Sequence, residues 1–217
     1  KNKIQNVIYV GTACSYPKDL QNNIGSEPLV ESDVYPAFPE SSYGWSKLMG
    51  EYELSLAIDS NFINGSILRL HNVYGPPCMF DEKMSQVIPS LCRKAINFPK
   101  EKFIVWGSGK QRRAFVYIDD VIDALILAKE KGINKGVIQI GPNVSSSIEE
   151  IANKIVKISK KNININFDIS KPEGDIDRSA NFSKAREILG WQPKTNLNDG
   201  LFMTYNWIKN KLEYNDE

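Results

Sequence analysis

Val7-Ile-Tyr-Val10 empties into Gly11-Thr-Ala-Cys14, and the reading of this stretch decides the fold. A β-branched and aromatic run ending at a glycine predicts a buried strand that runs out into a loop. In open α/β sheets the carboxyl end of such a strand is where sites are built. Beyond a polar loop carrying Pro36 and Pro39, Trp45, Leu48, Met49, Tyr52 and Leu56 follow helical spacing and predict an amphipathic helix. Ile67-Leu-Arg-Leu70 is the next strand, and the segment from Tyr74-Gly-Pro-Pro77 is a loop ahead of a helix over Val87 to Ala95. Asp119 and Asp120 suit the positive end of a helix running through Val121, Ala124, Leu125 and Ala128. Val137-Ile-Gln-Ile140 is a further strand. Ser147 and Glu150 form a capping-box pattern before Ile151, Ile155 and Ile158. Leu201, Tyr205, Ile208 and Leu212 mark a last amphipathic helix, with Asn198-Asp199 as its cap candidate. Strands alternate with helices, so the class is α/β.

Composition narrows the function. A formal net charge of +1 on 217 residues leaves no basic stripe for nucleic acid. No run approaches eighteen apolar residues, and Lys1-Asn-Lys-Ile-Gln5 leads into a strand rather than a signal peptide, which predicts a soluble, cytoplasmic protein without membrane contact. Cys14, Cys78 and Cys92 are odd in number and form no Cys-x-x-Cys pair. Neither a disulfide framework nor a thiolate zinc site is indicated, and a single histidine, His71, argues against any His-based metal site. His71 reads as structural, and Cys78 and Cys92 as packing residues.

Tyr43-x-x-x-Lys47 puts two side chains on one helical face, where an ammonium favours the phenolate of a nearby tyrosine. A phenol of pKa ~10 needs such help to serve as a base near neutrality. The pattern alone is weak, since Tyr205-x-x-x-Lys209 repeats it. Tyr205, however, falls on the apolar stripe of the last helix and reads as core. Gly107-Ser-Gly-Lys110 is no P-loop, because Ile104 stands at the required first glycine and Gln111 at the Ser/Thr.

Thr12-Ala-Cys-Ser-Tyr16, Tyr43-Gly-Trp-Ser-Lys47 and His71-Asn-Val-Tyr-Gly-Pro76 together resemble the motifs of the extended short-chain dehydrogenases/reductases, the NAD-dependent epimerase/dehydratase family. Gly107-Ser-Gly-Lys-Gln-Arg-Arg113, Phe115-Val-Tyr-Ile-Asp-Asp-Val121 and Leu189-Gly-Trp-Gln-Pro193 extend the likeness along most of the chain. The resemblance implies the C-terminal part of a Rossmann-type doubly wound parallel sheet plus a smaller mixed α/β lobe. Residues 1–75 would be the remainder of the NAD-binding domain and 76–217 mainly the lobe that takes a nucleotide sugar. It implies catalytic roles for Thr12, Cys14, Tyr43 and Lys47, the last two also contacting the cofactor NAD. Asn72, Lys94, Gln111, Arg113 and Arg178 would hold the substrate's diphosphate, a task to which the guanidinium fork is suited.

Dehydratases of the family carry Asp-Glu directly after this threonine, whereas this chain has Ala13 and Cys14. A cysteine there resembles the GDP-sugar epimerases of the family, where a thiol of ordinary pKa ~8.5 removes the proton beside a keto group. The implied function is an NAD-dependent nucleotide-sugar epimerase acting on a GDP-linked hexose, homodimeric at full length. One departure stands against two epimerisations. The opposing acid is Lys or His in such enzymes, but counting back from Val87-Ile-Pro89 gives Gln86, with Lys83 nearby. A nucleotide-sugar C4 dehydrogenase or ketoreductase is the alternative enzyme, and a non-catalytic nucleotide-binding fragment the alternative of another class. The sequence contains no Gly-x-Gly-x-x-Gly or Gly-x-x-Gly-x-x-Gly, so the Gly-rich cofactor half is expected to lie outside this chain. A sheet lacking those strands is expected to be poorly stable by itself.

Overall fold

The computed structural model describes residues 4–214; the start, Lys1–Lys3, from which the absence of a leader was read, lies outside them. Strand β1 (Asn6–Thr12) pairs in parallel with β2 (Asn64–Leu70), and β2 with β7 (Val137–Ile140), giving the order β1-β2-β7. This is the parallel α/β architecture that the alternation predicts. Register puts Leu68 beside Ile138 on one face, against helix α3 (Ile118–Lys131) and helix α5 (Ser183–Leu189), where Val121, Ala124, Ala128, Leu189 and Trp191 complete an apolar core.

The opposite face is polar at its centre. Gly11, Arg69 and Gln139 lie side by side across the three strands. Helix α1 (Ser42–Asp59) covers them and sends in Glu51, which pairs with the fully buried Arg69 through two hydrogen bonds. Arg69 also donates to the Glu31 carbonyl, and Tyr16 donates to Gln139 at 2.9 Å. The buried guanidinium is thus matched by one carboxylate and by fixed dipoles, as a charge in an interior requires.

A second core gathers helix α2 (Val87–Asn97), helix α4 (Ile148–Ser159) and helix α6 (Leu197–Tyr214) around Leu91, Cys92, Ile151, Ile155, Leu201, Tyr205 and Ile208. Cys92 and Tyr205 are therefore packing residues, and Cys78 lies against the same core. Short ladders tie this region to the sheet. Strand β3 (Asn72–Tyr74) pairs with β6 (Phe115–Tyr117), and β4 (Ile104–Trp106) with β9 (Asn166–Asp168). Strand β5 (Arg112–Arg113) sits between β8 (Ser146–Ser147) and β10 (Asp177–Arg178). The capping box at Ser147 and Glu150 is present in both directions.

One expectation is corrected. Helix α6 begins earlier than its apolar spacing suggests. Its cap is Asn196, whose side chain accepts from the Asp199 backbone at 3.0 Å, so Asn198 and Asp199 already lie inside the first turn. The apolar stripe of α1 is divided: Leu48 is buried with Gly44 and Glu51, while Trp45, Met49, Tyr52 and Leu56 are 45–53% exposed and face away from the core. The side of α1 that meets the sheet is set by its glycines and by the need of Arg69 for a carboxylate. No described helix is long and apolar enough to cross a membrane.

Candidate active site

Strand β1 ends at Thr12, whose Oγ1 accepts from the Cys14 backbone at 3.2 Å and so caps the 3₁₀ turn Ala13–Ser15. That bond turns the chain sharply and leaves Cys14 half-buried just past the strand end. Helix α1 starts opposite it, capped by Ser41, whose Oγ accepts from Gly44 at 3.1 Å. A Cβ at position 44 would overlap the Cys14 carbonyl oxygen, so glycine is what lets the helix start approach the turn. The helix that bears Tyr43 and Lys47 therefore starts against the turn that bears Cys14, far from it in sequence.

Lys47 is fixed from two directions. Its Nζ donates to the Val10 carbonyl at 3.0 Å and lies 5.4 Å from the centroid of the Tyr9 ring, whose hydroxyl donates back to the Lys47 carbonyl. Tyr43, one turn earlier, is 53% exposed and keeps its phenol open to the outside. His71 is buried against Gln139, and burial, reinforced by Arg178, pushes its pKa down to about 3. A neutral, buried imidazole fits the structural reading.

A separate cleft of about 360 Å³ lies between α2, β4 and β5. Asn72, Lys94, Gln111 and Arg113 all line it, so four of the five residues expected to hold a diphosphate meet in one place. Lys94 donates to the Ile104 carbonyl at 2.6 Å, and burial draws its pKa below the ordinary lysine value. The side-chain oxygens of Asn72 and Gln111 are buried without a protein partner. Arg178 lies deeper. It faces Arg113 across the β5–β10 ladder and reaches back to the first site, with Nη2 3.8 Å from Cys14 Sγ and Nη1 3.4 Å from the Ala13 carbonyl. One arginine pair thus joins the cleft to the strand end. Gln86 stands at the start of α2, exposed and making no cap bond, while Lys83 is exposed at the cleft wall.

Several charged groups at this junction escape sequence reading. Asp175 accepts from Arg178 at 2.9 Å. Burial, and after it the Asp175 carboxylate, raise the pKa of Glu40, and Arg113 and Arg178 pull it back. Burial and then Arg178 lower that of Arg113, with Asp175 opposing. Glu173 and the exposed Trp106 complete the cleft mouth. No periodicity marks Glu40 or Asp175; only their place in loops flanking recognisable motifs could have drawn attention to them.

Residues 1–141 match the family model described as NAD dependent epimerase/dehydratase. The chain is 34% identical over 213 residues to GDP-mannose 3,5-epimerase of Arabidopsis thaliana, covering 98% of this chain and 55% of that protein. It is 29% identical over 220 residues to GDP-L-fucose synthase 1 of the same plant, covering 95% and 64%. Among solved structures, UDP-glucose 4-epimerase of Thermotoga maritima superposes with a TM-score of 0.85 at 26% identity, covering 96% of this chain and 65% of that one. The chain spans little more than half the length of the first of these relatives.

Proposed function

As this chain belongs to the NAD dependent epimerase/dehydratase family, we propose that it carries the sugar-processing and nucleotide-binding part of a nucleotide-sugar epimerase resembling GDP-mannose 3,5-epimerase. The observation that carries this reading is the seating of the Cys14 turn against the start of the helix that bears Tyr43 and Lys47, with Arg178 reaching Cys14 from the ladder it shares with the cleft residue Arg113.

The residues present fit the nicotinamide riboside end of NAD, because Lys47 is anchored and Tyr43 is open at the carboxyl end of a parallel strand. The glycine turn that takes a dinucleotide's pyrophosphate is not in this sequence. NAD, when bound, supplies reversible oxidation of the sugar carbinol. Tyr43 accepts the hydroxyl proton, with Lys47 one helical turn away and Thr12 holding the same hydroxyl. Cys14 removes the proton beside the resulting carbonyl, and the centre inverts when an acid on the opposite face, for which Lys83 is the candidate, supplies a proton in its place. Asn72, Lys94, Gln111 and Arg113 hold the diphosphate, which would satisfy the two orphaned amide oxygens through bridging water or sugar hydroxyls. A second copy is proposed to cover the exposed stripe of α1, an isologous contact in which Trp45 and Met49 meet their own kind.

The test is an NMR assay of GDP-mannose incubated in D₂O with NAD and the full-length protein that carries this chain. Deuterium at C3 or C5 that vanishes in Cys14→Ala is the expected result. Gln86 favours a second reading, since an amide cannot donate a proton as Lys or imidazolium can. Stoichiometric nicotinamide conversion without deuterium uptake would replace the epimerase with a C4 reductase or dehydrogenase.

A further inference from the structure

Arg178 is only 5% exposed, yet its guanidinium is poorly matched. Nη1 donates to Asp175, to Gln21 Oε1 at 3.2 Å and to the Ala13 carbonyl; Nη2 finds only the Cys14 sulfur, and Nε finds no partner. A buried guanidinium needs an anion with strong acceptors, and Asp175 is the one carboxylate with which it forms an ion pair among the described residues. Arg113, its neighbour across the ladder, is taken up by backbone carbonyls of Arg112, Asp175 and Glu173. Three of these acceptor groups belong to one strap, residues 169–176, which joins β9 to β10 and brings Pro172 and Glu173 to the cleft wall. The strap is mostly exposed and is pinned to the turn after β4 at Ser108, whose backbone donates to Glu173.

We propose that Asp175 is a resident anion: its carboxylate occupies the place on Arg178 that a ligand's phosphate takes, and the strap must release the arginine pair for a diphosphate to gain full hold. The proposal rests on the diphosphate reading of the cleft. Charge supports it. Two guanidiniums, Arg113 and Arg178, meet two carboxylates, Asp175 and Glu40, within the chain itself. Adding a diphosphate with both carboxylates in place would set all of that negative charge against Arg113, Arg178 and Lys94 in a partly desolvated site, an arrangement that low local dielectric penalises. Release of Asp175 lowers that excess. A group that competes in this way makes the seat selective, since a singly charged anion gains little by displacing one carboxylate with another.

The experiment is calorimetric titration of GDP into the protein and into Asp175→Asn, Asp175→Glu and Arg113→Ala. Asp175→Asn is expected to tighten GDP binding about tenfold, the equivalent of ~1.4 kcal/mol, while Asp175→Glu stays near the parent. A tether of purely structural value would give the opposite sign. Unchanged or weaker binding by Asp175→Asn, or its failure to fold, overturns the resident anion. If Arg113→Ala loses GDP at the same time, only this inference fails; if Arg113→Ala binds as the parent does, the diphosphate reading of the cleft fails with it.

Discussion

Lys47 has a carbonyl on one side and an aromatic face on the other, so its ammonium is positioned before any ligand arrives. Tyr43, its proposed partner, is open, and the exchange of its phenol for phenylalanine removes a proton acceptor without disturbing the helix. Tyr43→Phe is expected to lower turnover by about 10²–10⁴-fold with the fold retained, measured by steady-state kinetics and circular dichroism. His71 makes a different prediction. Its folded-state pKa is about 3, below the ordinary value near ~6.5, so the unfolded chain takes up a proton that the folded one refuses. Its contribution to stability is present above pH ~6.5 and is lost as pH falls toward the folded value, with a slope of ~1.4 kcal/mol per pH unit. Urea unfolding between pH ~6 and ~4 should show this slope as the difference between the protein and His71→Gln.

At the scale of the element, α1 is the part on which the site depends. Gly44→Ala forces the helix start off the Cys14 carbonyl and is expected to cost about 1–3 kcal/mol, seen as a lowered Tm. Glu51→Ala leaves Arg69 buried without its carboxylate, at a cost of about 3–5 kcal/mol, whereas replacing both by apolar residues of similar volume should recover most of it. Chemical denaturation of the single and double variants checks both. The helix itself was legible in the apolar spacing from Trp45 to Leu56, but its orientation was not. Periodicity reveals a stripe and says nothing of what the stripe touches; here two glycines and a carboxylate took the sheet side. Strands at Val7–Val10 and Val137–Ile140 were readable because short runs rich in β-branched residues make a signal. Two-residue ladders such as Arg112–Arg113 with Asp177–Arg178 make none, since their pairing is fixed by the packing of distant elements. The same limit divides the site. Tyr43 and Lys47 are one helical turn apart and can be read together, whereas the Arg178–Asp175 pair acquires its place beside Cys14 only through the register of β5 and β10.

For the whole molecule, the outward stripe of α1 is a departure from a closed apolar core, with four large side chains about half exposed on one helix. Contiguous apolar patches of more than a few hundred square ångströms are uncommon on monomers. Met49→Glu on the proposed contact is expected to shift the protein to a slower-sedimenting species in analytical ultracentrifugation, with little change in secondary structure. An unaltered sedimentation coefficient would remove the second copy from this face. The three-stranded sheet and the cleft are joined by few connections, of which the facing arginines of β5 and β10 are the most direct. Arg113 and Arg178 meet across sixty-five positions of sequence. During synthesis from the amino end, the strand-end group of Thr12, Cys14, Tyr43 and Lys47 has all its residues long before position 178 leaves the ribosome. A nascent chain therefore holds every residue of the strand-end corner while the partner that Arg113 meets across the ladder is still to be made, so the two halves of the proposed site are joined only after the first has had time to fold.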